Sequence, residues 1–164
     1  MGELIEGDPG VIDDGLTGRI IGAAVEVHRR LGPGFLETVY QRALRCELTA
    51  RKIDWAAEVE VPVLYRGVVV GRHRLDMVVD GTVVVELKAI GRLEFVHFAQ
   101  VRSYLAASGM RVGLLLNFDS TRVTIRRVVD QASKDLLRGS GVPAPLPVES
   151  TCARMSVATP VAGV

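Results

Sequence analysis

Residues 74–88 read Arg74-Leu75-Asp76-Met77-Val78-Val79-Asp80-Gly81-Thr82-Val83-Val84-Val85-Glu86-Leu87-Lys88. Two runs rich in β-branched residues flank the turn dipeptide Asp80-Gly81, so the stretch reads as a β-hairpin. Side chains alternate along a strand, which puts Glu86 and Lys88 on one face and Leu87 on the other. Two carboxylates that share a face can hold a hard cation such as Mg²⁺, which takes oxygen ligands and keeps several waters. A lysine beside that cation can orient or deprotonate a bound water. The acid, gap and acid-x-lysine pattern therefore points to metal-dependent hydrolysis.

This reading sets a condition on the turn. A two-residue loop pairs Val79 with Thr82 and turns Glu86 away from Asp76, because directly opposed residues share a face. A three-residue loop of Val79, Asp80 and Gly81, with Gly81 in the left-handed region, pairs Val78 with Thr82 and returns both acids to one face. Gly81 is the residue that permits such a loop. The plainer alternative is a solvated network of cross-strand ion pairs, with Arg74 opposite Glu86. The apolar context of Val83, Val84, Val85, Leu87 and Ile90 weighs against it, since unpaired charge in a central strand is costly.

The chain has 164 residues, enough for one domain with a sizeable core. Twenty Lys and Arg nearly balance 19 Asp and Glu, so the net charge of +1 gives no global nucleic-acid signal and any such contact must be local. Cys46 and Cys152 have neither zinc-ligand spacing nor a disulfide framework, which fits a reducing compartment. The acidic opening is unlike a signal peptide, and no apolar run is long enough to cross a membrane. The cytoplasm is the expected location.

Working outward, apolar residues at Leu16, Ile20, Ala24, Val27 and Leu31 recur at helical spacing over 16–31, with Asp13 or Asp14 available as a cap. Gly32-Pro33-Gly34 ends that helix. A second helix is expected over about 36–51, strands over 58–65, 68–79 and 82–89, and a third helix over about 94–108. Residues 111–118 form a continuous apolar run, as in a strand buried on both faces. A half-exposed strand at 122–129 and a short helix at 130–138 follow. Residues 1–15 read as a loose lead-in, 16–139 as the domain, and 140–164, rich in Pro, Ser, Ala and Val, as a disordered tail.

The stretch Gly34-Phe35-Leu36-Glu37-Thr38-Val39-Tyr40 matches a G-x-x-E-x-x-Y motif. Together with Glu26-Val27-His28, Arg74-Leu75-Asp76, Glu86-Leu87-Lys88, His97 with Gln100 and Tyr104, and the strand Gly113-Leu114-Leu115-Leu116-Asn117-Phe118, it makes the chain resemble the GxxExxY proteins over about residues 17–129. These are assigned to the PD-(D/E)xK nuclease-like superfamily. The resemblance implies an α/β fold, a mixed central β-sheet flanked by helices in a restriction-endonuclease-like core. It implies Mg²⁺ (or Mn²⁺) bound by Asp76, Glu86 and the Leu87 carbonyl, with Lys88 acting on the water or the developing charge. Glu37 becomes an extra acid near the metal. Gln100 and Tyr104, four apart on the third helix, resemble the Q-x-x-x-Y element of RecB-like nucleases, with His97 on the same face.

Each assignment has a structural counterpart. Glu37 can be a first-turn acid favoured by the helix dipole, and Tyr40 and His28 can be core residues. Gln100 and Tyr104 can satisfy one another. The leading expectation is a metal-dependent nuclease acting on DNA or RNA. The alternatives are a non-catalytic nucleic-acid-binding or regulatory module of the same fold, and an interaction protein whose polar cluster is only an ion-pair network. No membrane partner is expected, and a homodimer is left open.

Overall fold

The computed structural model describes residues 14–130. Helix α1 (Asp14–Leu31) and helix α2 (Glu37–Ala50) are followed by strands β1 (Trp55–Tyr65), β2 (Val68–Val79) and β3 (Val83–Lys88). Helix α3 (Phe95–Ser108) then leads to β4 (Val112–Asn117) and β5 (Thr124–Val129). The expected lead-in through residue 13, the short helix from 131 and the tail from 140 lie outside the described residues.

The five strands form one mixed sheet in the order β1-β2-β3-β4-β5. All neighbours are antiparallel except β3 and β4, whose parallel pairing requires the α3 crossover between them. Helices α1 and α2 bury Ile20, Ala24, Tyr40, Leu44 and Leu48 against one sheet face, formed by Met77, Val79, Val83, Val85, Leu87, Leu114 and Leu116. Helix α3 covers the other face, where Val101, Tyr104 and Leu105 meet Leu75, Val78, Val84 and Leu115. Every residue of β4 is buried, which accounts for its uninterrupted apolar sequence.

The β2–β3 connection has an odd number of residues, but it sits one position later than the sequence suggests. Val79 pairs with Val83, leaving Asp80, Gly81 and Thr82 in the loop, so Thr82 pairs with neither Val78 nor Val79. Asp80 (φ 50°) and Gly81 (φ 64°) are both left-handed, and the Thr82 amide closes the turn onto the Val79 carbonyl at 3.1 Å. Continued one step past its last pair, Met77–Val85, this register would set Asp76 directly across from Glu86.

The segment before α2 is held by Tyr40. Its ring stacks on Phe118 at 4.5 Å, and its hydroxyl donates to the Gly32 carbonyl (2.6 Å) and accepts from the Phe35 amide (3.2 Å). The Gly-to-Tyr motif is thus a clasp that fixes where α2, and hence Glu37, begins.

Helix α3 and strand β4 approach closely at Gly113, where a Cβ would run into the Val101 side chain and lie 3.7 Å from Leu105. Gly113→Ala should therefore destabilise the protein by about 1–3 kcal/mol through overpacking, read as a lower urea midpoint with an unchanged slope. An unchanged midpoint would mean that α3 shifts freely over β4.

Candidate active site

The site forms where the hairpin opens. The β2–β3 ladder ends at Met77–Val85, immediately before the two acids. Across β2, the step opposite Asp76 holds Glu58, whose φ of 55° is unusual for a non-glycine residue. Leu75 and Val78 both face α3 although three positions apart, so strict alternation breaks at this step. The kink turns Asp76 toward β3, where its Oδ2 accepts the Leu87 amide at 3.0 Å in place of a ladder bond.

Glu86 shares Val84's side of β3 and is 2% exposed. Lys88 donates to its Oε1 at 2.7 Å, and Oε2 is buried without a hydrogen-bond partner. An orphaned carboxylate oxygen in the interior costs free energy. Burial, then the neighbouring Asp76 carboxylate, push the Glu86 carboxyl up from 4.5 to about 7, against the pull of Lys88. Burial alone would lower Lys88, but the Glu86, Glu37 and Asp76 carboxylates outweigh it and raise the ammonium above its usual range.

Glu37 in the first turn of α2 is half-buried, and desolvation raises its carboxyl, with Lys88 opposing and Asp76 reinforcing the shift. It therefore lies within electrostatic reach of both groups. Tyr104 of α3 is 6% exposed and accepts a hydrogen bond from the Gln100 amide. Burial raises its phenol further than the Gln100 bond lowers it, and the Glu86 and Asp76 charges add to the rise. Asp76, Glu86, Lys88, Glu37, Tyr104 and, through Tyr104, Gln100 thus converge from β2, β3, α2 and α3. Leu87 contributes a buried side chain and an amide bonded to Asp76.

Three residues singled out in the sequence are structural. The His28 ring bonds the Ser120 carbonyl at 2.8 Å and packs on Phe118. His97 caps α3, accepting the Glu94 amide at 2.9 Å. Tyr40 is the clasp described above. Arg74 does not pair with Glu86; it bonds Glu58 of β1 at 2.6 Å. Asn117, which the sequence reading left unassigned, is 3% exposed and makes two bonds to the Ile90 backbone, fixing the turn after Lys88. Its signal was a lone amide in an apolar strand.

The donor set suits a hard cation, with two carboxylates in contact and one oxygen left open. Among the described residues no three His, Cys, Asp or Glu side chains form a ready-made cage. Such economy is normal for Mg²⁺, which is bound through one or two carboxylates plus water and substrate phosphates.

The model of the PD-(D/E)XK nuclease superfamily matches residues 14–128, which include every strand's site residue named above, and the chain belongs to that superfamily. No curated protein matches it. Among solved structures, it is similar to the crystal structure of SSO0001 at 19% identity and a TM-score of 0.48, covering 62% of this chain and 54% of that one. It thus spans about half the length of that neighbour. It is also similar to an alkaline exonuclease (LHK-Exo) from Laribacter hongkongensis at 14% identity and a TM-score of 0.42, covering 73% of each chain. Among the described residues no helix is long and apolar enough to cross a membrane.

The Glu86 shift fixes a pH dependence. Its folded carboxyl titrates near 7 instead of 4.5, so the stability it contributes is present below the unfolded value and lost as pH rises through 7. Metal-free protein should lose about 2–3 kcal/mol of unfolding free energy between pH 5 and pH 8.5, and Glu86→Gln should flatten that profile. Urea titrations at four pH values measure it; a flat wild-type profile would contradict the burial of this charge.

Proposed function

We propose that the protein is a divalent-metal-dependent nuclease that hydrolyses phosphodiester bonds in DNA or RNA. The observation that carries this reading is the Asp76–Glu86 carboxylate pair, with Glu86 Oε2 unpaired beside Lys88. Asp76 and Glu86 would hold Mg²⁺ or Mn²⁺, with the Leu87 carbonyl as a third oxygen. The bound cation supplies Lewis-acid polarisation of the phosphodiester and lowers the pKa of water. Lys88, already positioned by Glu86, orients the attacking water and offsets charge developing on the phosphate. Glu37 holds negative charge at the α2 side of the site and can accept a proton through water. Tyr104, oriented by Gln100, offers a phenolic donor from the α3 side to a strand lying across the site.

A non-catalytic nucleic-acid-binding module is the second reading. It is favoured by the 2.7 Å ion pair, in which Lys88 already neutralises part of the Glu86 charge.

Calorimetry with Mg²⁺ and Mn²⁺, paired with cleavage assays on single- and double-stranded DNA and RNA, separates the two. Asp76→Asn retains an acceptor for the Leu87 amide but loses a charge; it should fold, bind metal weakly and cut nothing. Lys88→Ala should bind metal normally while its turnover falls by about 100-fold or more. Wild-type protein that binds nucleic acid but cuts no form of it would establish the second reading.

A further inference from the structure

A half-open cleft of about 260 Å³ adjoins Asp76, lined by Thr38, Gln41, Glu58, Arg74, Leu75 and Asp76. Its size falls below the ~300–1,000 Å³ of sites for drug-sized molecules, which suits one flat ring system and excludes a duplex. The walls combine the Gln41 amide, the Thr38 hydroxyl, the Glu58 and Asp76 carboxylates and the Arg74 guanidinium. Thr38 and Gln41 are three apart on α2 and so share a helix face. The Gln41 amide reaches only Glu37, at 3.5 Å, and is free to turn to a ligand.

Glu58 forms the far wall, held there in a left-handed conformation by β1–β2 pairing on both sides. Backbone strain of this kind persists only where surrounding structure enforces it and gathers at functional sites. The ligand must also tolerate two acids, Glu58 and Asp76, against a single guanidinium that is already paired with Glu58. That disfavours a second phosphate and favours a neutral group edged with donors and acceptors. A nucleobase is such a group, read on its Watson–Crick edge by amide and carboxylate side chains when it is unpaired.

We propose that this cleft is a subsite for one unpaired nucleobase of the strand whose phosphate lies at Asp76 and Glu86. The assignment rests on the phosphodiesterase reading and narrows its substrate to nucleic acid that is single-stranded or frayed at the cut.

Two variants remove polar groups of the walls without touching the catalytic groups or the β1–β2 kink, Gln41→Ala and Thr38→Val. Thr38 is exposed on α2, so the melting temperature of the second should hold. The probe is a single-stranded DNA octamer carrying 2-aminopurine at each position in turn, bound in Ca²⁺ and then cleaved in Mg²⁺. One probe position should brighten with wild type as the base leaves its stack, and not with either variant. Both variants should cut with KM raised about 10-fold and kcat changed less than about twofold. Cleavage with no brightening position, or with unchanged KM in both variants, would overturn the subsite and leave the nuclease reading intact. Brightening without cleavage would keep the subsite and defeat the nuclease reading, and the lack of both would defeat both.

Discussion

A carboxylate at 2% exposure with one oxygen unpaired is the constraint around which the site is organised. Nothing in a purely structural account calls for Glu86 in the middle of an apolar strand, where a valine would pack without desolvating a charge. Its cost is held in place by the rest of the domain. Parallel pairing with β4 fixes β3 through Lys88, the kink opposite Glu58 brings Asp76 across, and Asn117 fixes the chain beyond Lys88. Helices α2 and α3 then deliver Glu37 and Tyr104 from the two layers.

Strand divergence is the device that makes this arrangement compatible with a folded sheet. Were β2 and β3 paired to the end, Asp76 and Glu86 would face each other as an adjacent like-charged pair with no room between them. With the ladder ending at Met77–Val85, the Asp76 side chain takes over one amide of β3 and its charge is brought to the edge of a gap. Glu58 and Asp76, the two residues at this kink, also line the cleft, so the distortion and the cleft are neighbours.

Much of the fold was legible because its signals are periodic and local. The helical spacing from Leu16 to Leu31, the continuous apolar run of β4 and the turn at Asp80-Gly81 each specify an element without reference to the rest. The need for an odd loop also followed from alternation alone, although its position was off by one because Thr82 closes the turn through its amide and does not join the ladder. The convergence of Asp76, Glu86, Lys88, Glu37 and Tyr104 was reachable through the motifs. What was hidden depends on contacts between distant segments. Pairing of Arg74 with Glu58, and not with Glu86, requires knowing that β1 lies beside β2 and that β2 leaves β3. His28 was readable either as a packed residue or as one reaching the site, and what decides for packing is the Ser120 carbonyl, 92 positions away along the chain.

The central claim is that the open oxygen of Glu86 and the Asp76 carboxylate form a cation site. Anomalous diffraction from crystals grown with Mn²⁺ tests it most directly, since Mn²⁺ shares the oxygen preference of Mg²⁺ and scatters strongly. The account predicts one peak bonded to Asp76 and to Glu86 Oε2, at the mouth of the gap between β2 and β3. Saturating Mn²⁺ with no peak there, and Glu86 still bonded only to Lys88, would contradict it.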